Sequence, residues 1–563
     1  MWSNQKRIRM SNEDIASLND SNSLLKVGGM YKDWFLDYAS YVILERAVPD
    51  LFDGLKPVQR RILHSMNTLE DGRYNKVANI VGTTMQFHPH GDASISDAII
   101  QLGQKDLLID MQGNWGNIYT GDKAAASRYI EARLSKFALE VVFNSKTTKW
   151  QLSYDGRKKE PIHLPIKFPL LLAQGAEGIA VGLSTKILPH NFNELINSSI
   201  KHLNGKRFKL YPDFQTGGFV DIKNYNDGNR GGRIKVRGKL EKLDKNSIII
   251  KEIPYGTTTA SVIESIIKAS DKGKIKLKRI EDNTSSNVEI IVYLKTGSSI
   301  SKSIDALYAF SQCEVSISPL SCIISNNKPE FIGVSDILKT STENTRELLK
   351  EELEIELDEL NIQWHNISLE KIFIENRIYR DIEDKASWEL VLSSIEEGLK
   401  PYTKKLRKEV SLDDIKRLTE IPIKKISKFD LNKVNEKLKN INTNIDEVKN
   451  NLDHITEYAI KYFEYLKKEY GSERKRKTKV QEFDDLDKKD ISIKNQKLYV
   501  NKKDGFVGTS MKKDDYLFDC SDLDDVIVFT NEGLMKVVRV DSKVFIGKNI
   551  EKVMLFNDDS KKL

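Results

Sequence analysis

Cysteine is scarce in this chain: Cys313, Cys322 and Cys520 are the only three in 563 residues. They are too few and too scattered for a disulfide framework or a zinc cage, and read as buried or free thiols in a reducing compartment. No apolar stretch approaches the roughly 20 residues a membrane span requires. The polar N-terminus lacks a secretory apolar region, so the expected location is cytoplasmic. No Gly-x-x-x-x-Gly-Lys-Ser/Thr loop occurs, so nothing argues that this chain hydrolyses ATP. Charge of one sign is also in short supply. Lys plus Arg number 89 and Asp plus Glu 82, a net of +7. So mild an excess does not establish a nucleic-acid partner, and only local clusters can carry that argument.

What is present is length and pattern. The chain is too long for one core and should form three or four domains, multidomain α+β in class. Residues 1–44 read as a polar tail followed by a helical arm, in which apolar and aromatic residues from Met30 to Leu44 recur at helical spacing. Residues 45–165 alternate helical segments with glycine turns. From 166 to 340 the pattern turns β-rich, as in Ser247–Ile250 and Val288–Val292, and predicts a separate α+β domain. Residues 341–470 carry two heptad-like series: Leu349, Leu353, Leu357, Leu360, Trp364 and Ile367 in one, Leu431, Val434, Leu438, Ile441, Ile445, Val448 and Leu452 in the other. They predict a long antiparallel coiled coil. Pro401 and Pro422 punctuate a globular helical tip at about 380–425. Residues 471–495 read as a charged linker containing Arg474-Lys475-Arg476-Lys477, with acidic Asp484–Asp487 beyond it. Residues 496–563 return to short strands, with a second acidic run, Asp522–Asp525, that reads as solvated surface.

The candidate chemistry lies in 45–165. Tyr129 follows Arg128 in Ala124-Ala125-Ala126-Ser127-Arg128-Tyr129. Upstream stand Asp53-Gly54-Leu55-Lys56-Pro57-Val58-Gln59-Arg60-Arg61 and His88-Pro89-His90-Gly91-Asp92. A phenol beside an arginine, with lysine, arginines and histidines supplied nearby, suits attack on a phosphodiester. The phenol would need those cations, since at its ordinary pKa only about one in a thousand is ionised at neutral pH. Each piece also has a plainer reading: a structural tyrosine, a solvated helix face for Lys56–Arg61, and a histidine-held turn or metal pair for His88 and His90. The metal pair is disfavoured because no third ligand sits at a zinc spacing. Ile179, in an apolar run, would by itself be core.

These segments, with Gln112-Gly113-Asn114-Trp115-Gly116-Asn117, Gly178-Ile179-Ala180-Val181-Gly182 and Leu188-Pro189-His190-Asn191, resemble the A subunits of bacterial type IIA DNA topoisomerases, the gyrase and topoisomerase IV family. The resemblance runs in order from about residue 30 to the C-terminus. It implies a winged-helix breakage–reunion domain at 45–165, a tower domain at 166–340, the coiled coil with its gate-forming tip, and a shortened β-pinwheel tail. It further implies that Tyr129 is the nucleophile joined to a DNA 5′ phosphate and Arg128 its transition-state stabiliser. Lys56, His88 and His90 match residues that contact DNA near the scissile phosphate, Arg46 and Arg60 match basic residues of the same pocket, and Arg61 extends that phosphate track. Ile179 matches an apolar wedge that bends the duplex.

The family works as an A₂B₂ heterotetramer on double-stranded DNA, with ATP and Mg²⁺ held by the B subunit. Gln59, and the absence of a Gln-Arg-Arg-Gly-Gly-Lys-Gly box, point to decatenation and relaxation by the topoisomerase IV branch. The A subunit of a gyrase, a non-catalytic architectural protein, or a recombinase or type I enzyme using a tyrosine are the alternatives. Ala93 stands where many relatives have serine, while Asp97 is retained.

Overall fold

The computed structural model describes residues 27–422, 426, 431–484 and 496–556. The chain enters through α1 (Val27–Val42), whose Tyr31, Trp34 and Tyr38 are exposed. Such a face fits the expected arm that packs against something else. After a π-helical turn at Ile43–Ala47 come α2 (Pro57–Thr68), α3 (Val77–Thr84) and α4 (Asp92–Gln104). They pack on a small antiparallel sheet of β1 (Asn75–Lys76), β2 (Ile109–Gln112) and β3 (Glu131–Leu134), with β3 in the middle. The amphipathic spacing of α2 and α4 buries Ile62, Leu63, Ile95, Ile99 and Leu102 against Leu108, Ile130 and Ala132.

That core does not stop near residue 165. Leu164, Phe168, Leu171, Leu195, Val220 and Ile234 belong to it, as do Ile337 and Phe463. The β-rich change in the sequence therefore precedes the structural division. A separate core appears only with the antiparallel sheet of Lys239–Lys242, Ser247–Glu252, Ile290–Leu294 and Leu277–Asp282, in that spatial order. Its apolar face, Ile248, Ile250, Ile290 and Val292, is covered by α5 (Thr259–Asp271), with Val262 and Ile266, and by α6 (Ile300–Phe310), with Leu307. Thr258 and Ser261 cap α5 reciprocally, each side chain taking the other's backbone N–H.

The coiled coil forms where its periodicity placed it. Helix α7 (Val334–Glu375) has 42 residues and α8 (Leu431–Asp453) has 23. Leu353, Leu360, Ile445 and Val448 make the seam, flanked by Leu357, Trp364, Ile441 and Leu452. Lys371 bonds Asn435, and Arg407 bridges Asn361 and Asn442, a register that runs antiparallel. The returning strand of the coil is not one helix: it breaks at His454 and resumes as α9 (Ile455–Tyr470). At the far end Phe373, Ile395, Leu399, Ile415 and Leu418 form the separate core of the tip; residues 423–425 of the expected tip lie outside the described residues.

The expected linker is corrected over its first ten residues. Arg476 makes a bidentate pair with Glu194 at 2.6 and 2.7 Å and donates to the carbonyls of Tyr211, Pro212 and Thr478. Lys479–Val480 adds a parallel edge strand to Phe219–Asn224. The Leu-Pro-His-Asn motif explains the docking: Asn191 caps the helix Phe192–Leu203 with its side-chain oxygen while its amide donates to Asp213 and the Arg474 carbonyl. The two arginines of the run are thus taken by acceptors distant in the chain, Arg476 by Glu194 across 282 residues and Arg474 by the Asp106 carbonyl across 368. Residues 485–495 lie outside the described residues.

The tail folds as two sheets. One holds Gln496–Asn501, Phe506–Gly508, Asp515–Cys520 and Val544–Phe545, the other Asp525–Thr530 between Met535–Arg539 and Ile550–Leu555. Asp522 is not free surface charge, since it pairs with Lys274, whose side chain is 9% exposed. All three cysteines are buried and unbridged. Burial pushes the Cys313 thiol up to about 12, the opposite of a reactive cysteine. Among the described residues no helix is long and apolar enough to cross a membrane.

Candidate active site

Tyr129 sits on a loop that the fold holds at many points. Trp115 anchors its start, buried in the core and donating to the Gln112 carbonyl. Gly116 turns the chain with φ +80°, where a Cβ would stand 2.5 Å from the Asp122 carbonyl, so no other residue fits. The Ala125 N–H donates back to Asn114. On its outer side the loop is fixed to the second core: Tyr119 accepts the Thr259 N–H at 2.8 Å and packs among that core's side chains. At the far end the first two amides of α3 donate to the loop, Val77 to Ile130 and Ala78 to Ser127. The positive end of that helix therefore faces the nucleophile segment, a favourable place for developing negative charge. Tyr129 itself is 64% exposed, with Arg128 stacked over its ring at 4.5 Å. Among the described residues Arg128 has no carboxylate partner, so its charge is available to a ligand.

The other predicted cations fall into two further groups. At the C-terminal end of α3, the His88 N–H closes the turn on Thr84. Arg61 donates to His88 Nδ1 at 3.2 Å while gripping Glu160 through two bonds of 2.7 and 3.0 Å. A guanidinium can only donate, so Nδ1 is the acceptor and the His88 proton sits on Nε2. The His90 ring lies 4.7 Å from His88 and shares a hydrogen bond with the Tyr41 hydroxyl, over whose ring Arg46 stacks at 5.7 Å. Burial, then Arg61, His90 and Arg46, hold His88 down to about 3; burial, Arg46 and Arg61 also lower His90. The histidine pair in the free protein is therefore neutral, and Nε2–H of His88 is a hydrogen-bond donor rather than a charge.

The burial of His88 makes stability depend on pH with a defined sign. In the unfolded chain its imidazole titrates near 6.5 and in the folded chain near 3. Between those values the unfolded state takes up a proton that the folded state refuses. The stabilisation is complete above about pH 6.5 and is lost as pH falls toward 3. Unfolding midpoints measured from pH 7 to 4.5 should drop less steeply for His88→Gln than for the wild type; parallel slopes would contradict the assignment.

The third group is Lys56, which opens α2 and donates to the Glu177 carbonyl at 2.6 Å. Burial lowers it, opposed by the Glu177 charge. Gln59 receives the Lys56 N–H, so this residue also serves as a helix cap. The expected phosphate track from Lys56 to Arg61 requires correction, because Arg60 and Arg61 are not free cations. Arg60 is locked on Asp53 at 2.6 and 3.0 Å, with an 11% exposed side chain, as Arg61 is on Glu160. Charges this far from water need a partner: Asp53 lies 7 residues upstream of Arg60, whereas Glu160 is 99 residues from Arg61 and meets it only in space. Among the described residues no hydrogen bond, ion pair or ring contact joins Tyr129 or Arg128 to the histidine group, and the length of α3, about 12 Å for its 8 residues, lies between.

Ile179 is 84% exposed at the end of β4 (Ala176–Ile179), which pairs with β5 (Ser184–Ile187) as a projecting hairpin. Gly178 makes this possible: a Cβ there would fall 2.1 Å from the Ala47 carbonyl. Ala180 and Val181 rest against Val42, Val48 and Ile324, so the hairpin is braced while its isoleucine points away from any core.

One cluster has the ligand atoms for a metal among the described residues, Asp50, Asp53 and His163. It does not fit one. Both Asp53 oxygens are already taken, by Arg60 twice and by the N–H groups of Leu55 and Leu164. Glu160, Asp53, Tyr41 and Trp115 are site residues to which the sequence assigns no role: Asp53 and Trp115 stand inside the motif segments and Tyr41 inside the helical arm, while nothing in the local pattern marks Glu160.

Residues 46–464 match the family described as the A subunit of DNA gyrase/topoisomerase IV, and residues 497–561 match the topoisomerase C-terminal domain of Bacteroidota. The chain belongs to the family of DNA gyrase and topoisomerase IV A subunits. It is similar to the A subunit of DNA topoisomerase 4 from Borreliella burgdorferi, 41% identical over 517 residues covering 92% of this chain and 82% of that protein. It is similar also to the A subunit of DNA gyrase from Buchnera aphidicola subsp. Baizongia pistaciae, 30% identical over 536 residues covering 84% and 63%. A third relative is the corresponding DNA gyrase chain of Leptospira biflexa serovar Patoc, 27% identical over 603 residues covering 95% and 70%. Membership makes this the A subunit of a type II DNA topoisomerase, an isomerase.

Proposed function

We propose that this protein breaks and rejoins double-stranded DNA through Tyr129, in a complex that decatenates and relaxes DNA as topoisomerase IV does. The observation that carries it is the exposed phenol under an unpaired guanidinium, on a loop fixed at both ends. The Tyr129 oxygen attacks the phosphorus, the bond from phosphorus to the 3′ oxygen breaks, and the enzyme holds a 5′-phosphotyrosyl ester. The phenol loses its proton and the 3′ oxygen gains one. The free energy of the broken bond stays in the ester, and the reverse attack by the 3′ hydroxyl reseals the strand. Arg128 neutralises the charge that grows on phosphorus. His88, through Nε2–H, and Arg46, His90 and Lys56 hold the flanking phosphates, with Arg60 and Arg61 positioning them. Ile179 enters the base stack, a step whose cost of a few kcal/mol is offset by the contacts a bent duplex makes.

ATP and Mg²⁺ would both be held by a partner B subunit, as the family resemblance implies; among the described residues the one cluster with ligand atoms for a metal has its Asp53 oxygens already taken. The topoisomerase IV reading is supported by the 41% identity to the Borreliella protein, against 27–35% for gyrase A subunits.

The gap between the Tyr129 and His88 groups favours a site completed by a second copy, the Tyr129 pair of one chain facing the histidines of the other in an A₂B₂ complex. Mixed dimers of a Tyr129→Phe chain and a His88→Ala chain test this directly. Completion between copies leaves one intact site and one doubly damaged site, so supercoiled DNA should be nicked in one strand at near-normal rate. Two singly damaged sites, with no strand cut at the near-normal rate, would instead show completion within one chain. The family resemblance implies that quinolones bind weakly here, since Ala93 stands where a serine anchors the drug in many relatives; Ala93 and Asp97 are both exposed one turn apart on α4. Ala93→Ser should therefore raise quinolone potency in a cleavage assay, and equal potency would refute the serine-anchored contact.

A further inference from the structure

Lys56 is not alone behind the hairpin that carries Ile179. Between the start of α2, the end of α4 and strand β4 is a cleft of about 250 Å³ lined by Lys56, Lys105, Gln174, Glu177, Lys186 and Gln215, among others. Its charges do not cancel. Three lysines line it against the single carboxylate of Glu177, which Lys186 takes at 3.0 Å and whose charge also reaches Lys56. Among the described residues the hydrogen bonds of Lys56 and Lys105 go to backbone carbonyls alone, Lys56 to Glu177 and Lys105 to Gly175 at 3.0 Å. Burial and the nearby Lys56 push Lys105 down to about 8, so the two ammonium groups feel each other. The wall also holds a buried polar atom without a partner: Gln174 is 9% exposed and its Nε2 makes no hydrogen bond. Two half-sunk ammonium groups and an idle amide donor in one wall are costly to keep unless something anionic satisfies them.

We propose that this cleft is a phosphate-binding subsite, with Lys105 and Lys56 as its cations and the Gln174 amide as a third donor. The occupant is a backbone phosphate of the duplex, because the cleft shares β4 with the exposed Ile179 and shares Lys56 with the expected DNA track. A free phosphate would meet the same groups. The DNA form rests on the reading of this chain as a DNA-cleaving protein, and Tyr129 adduct formation reports on that reading separately.

The experiment uses the full chain paired with its B subunit. Binding of a short duplex is titrated across potassium chloride concentrations. Lys105→Met should weaken binding about tenfold at moderate salt and lower the slope of log affinity against log salt by about one unit, one phosphate contact fewer. Should the slope stay constant while the wild type shows saturable ³¹P line broadening with inorganic phosphate that Lys105→Met abolishes, the subsite stands with a free phosphate as its occupant. Equal slopes together with no saturable phosphate binding overturn the proposal. Removing an unneutralised ammonium should leave the melting temperature unchanged or higher. If that variant fails to fold, Gln174→Leu keeps both lysines and should move binding the same way by a smaller factor. An intact subsite with no Tyr129 adduct would sink the cleavage reading and spare this one.

Discussion

Tyr129→Phe should abolish covalent protein–DNA adducts and lower strand passage by at least about 10⁴-fold, the scale on which a lost nucleophile is felt when the rest of the machinery remains. The structure makes this substitution clean. Tyr129 is 64% exposed and its hydroxyl makes no hydrogen bond among the described residues, so its removal leaves no buried group unsatisfied. The phenylalanine ring still lies under Arg128, and the backbone N–H still reaches Ala126 at 2.8 Å. Stability should stay within about 0.5 kcal/mol of wild type, as for other surface changes, and non-covalent affinity for a duplex should be unaltered. Arg128→Ala should be milder, about 10²- to 10³-fold, as expected for one stabiliser of transition-state charge. The decisive measurement is digestion of denaturant-trapped complexes followed by mass spectrometry. A nucleotide-linked peptide from any tyrosine other than Tyr129 would end the mechanism, even with strand passage intact.

How much of this could be read beforehand depended on whether the signal was local. The coiled coil was legible because Leu353, Leu360, Ile445 and Val448 repeat at a spacing that only a helix turns to one side. The Tyr129 segment was legible through neighbours in sequence that remain neighbours in space. Ile179 is a different case: its apolar run says core, and its exposure comes from Gly178, which lets the hairpin lie against the Ala47 carbonyl. Charges were the least legible. Arg60, Arg61, Arg476 and Asp522 all read as solvated or DNA-facing. Each instead meets a partner: Asp53 across 7 residues, ahead of α2, Glu160 across 99, Glu194 across 282, Lys274 across 248. Sequence reports that a charge exists; its desolvation and pairing are properties of the packed chain.

The Glu160–Arg61 pair gives the largest expected effect on the fold around the site. Glu160 is 3% exposed and accepts both Arg61 bonds, while the same guanidinium fixes the His88 proton on Nε2. Glu160→Ala would leave Arg61 buried with the neutral His88 nitrogen as its remaining acceptor. Stranding one member of a buried pair typically costs about 3–5 kcal/mol. The loss should appear as faster hydrogen exchange along α2 and an earlier first unfolding transition, since a chain with several cores need not unfold in one step. Cleavage should fall as well, because Arg61 is then free to turn from His88. The double variant Arg61→Leu/Glu160→Leu separates the two roles. With both charges gone, most of the stability should return, since no uncompensated ion remains. Cleavage should stay low, because His88 has lost the donor that selects its tautomer. If the double variant regains cleavage in step with stability, the pair is structural only, and His88 is not positioned through Arg61.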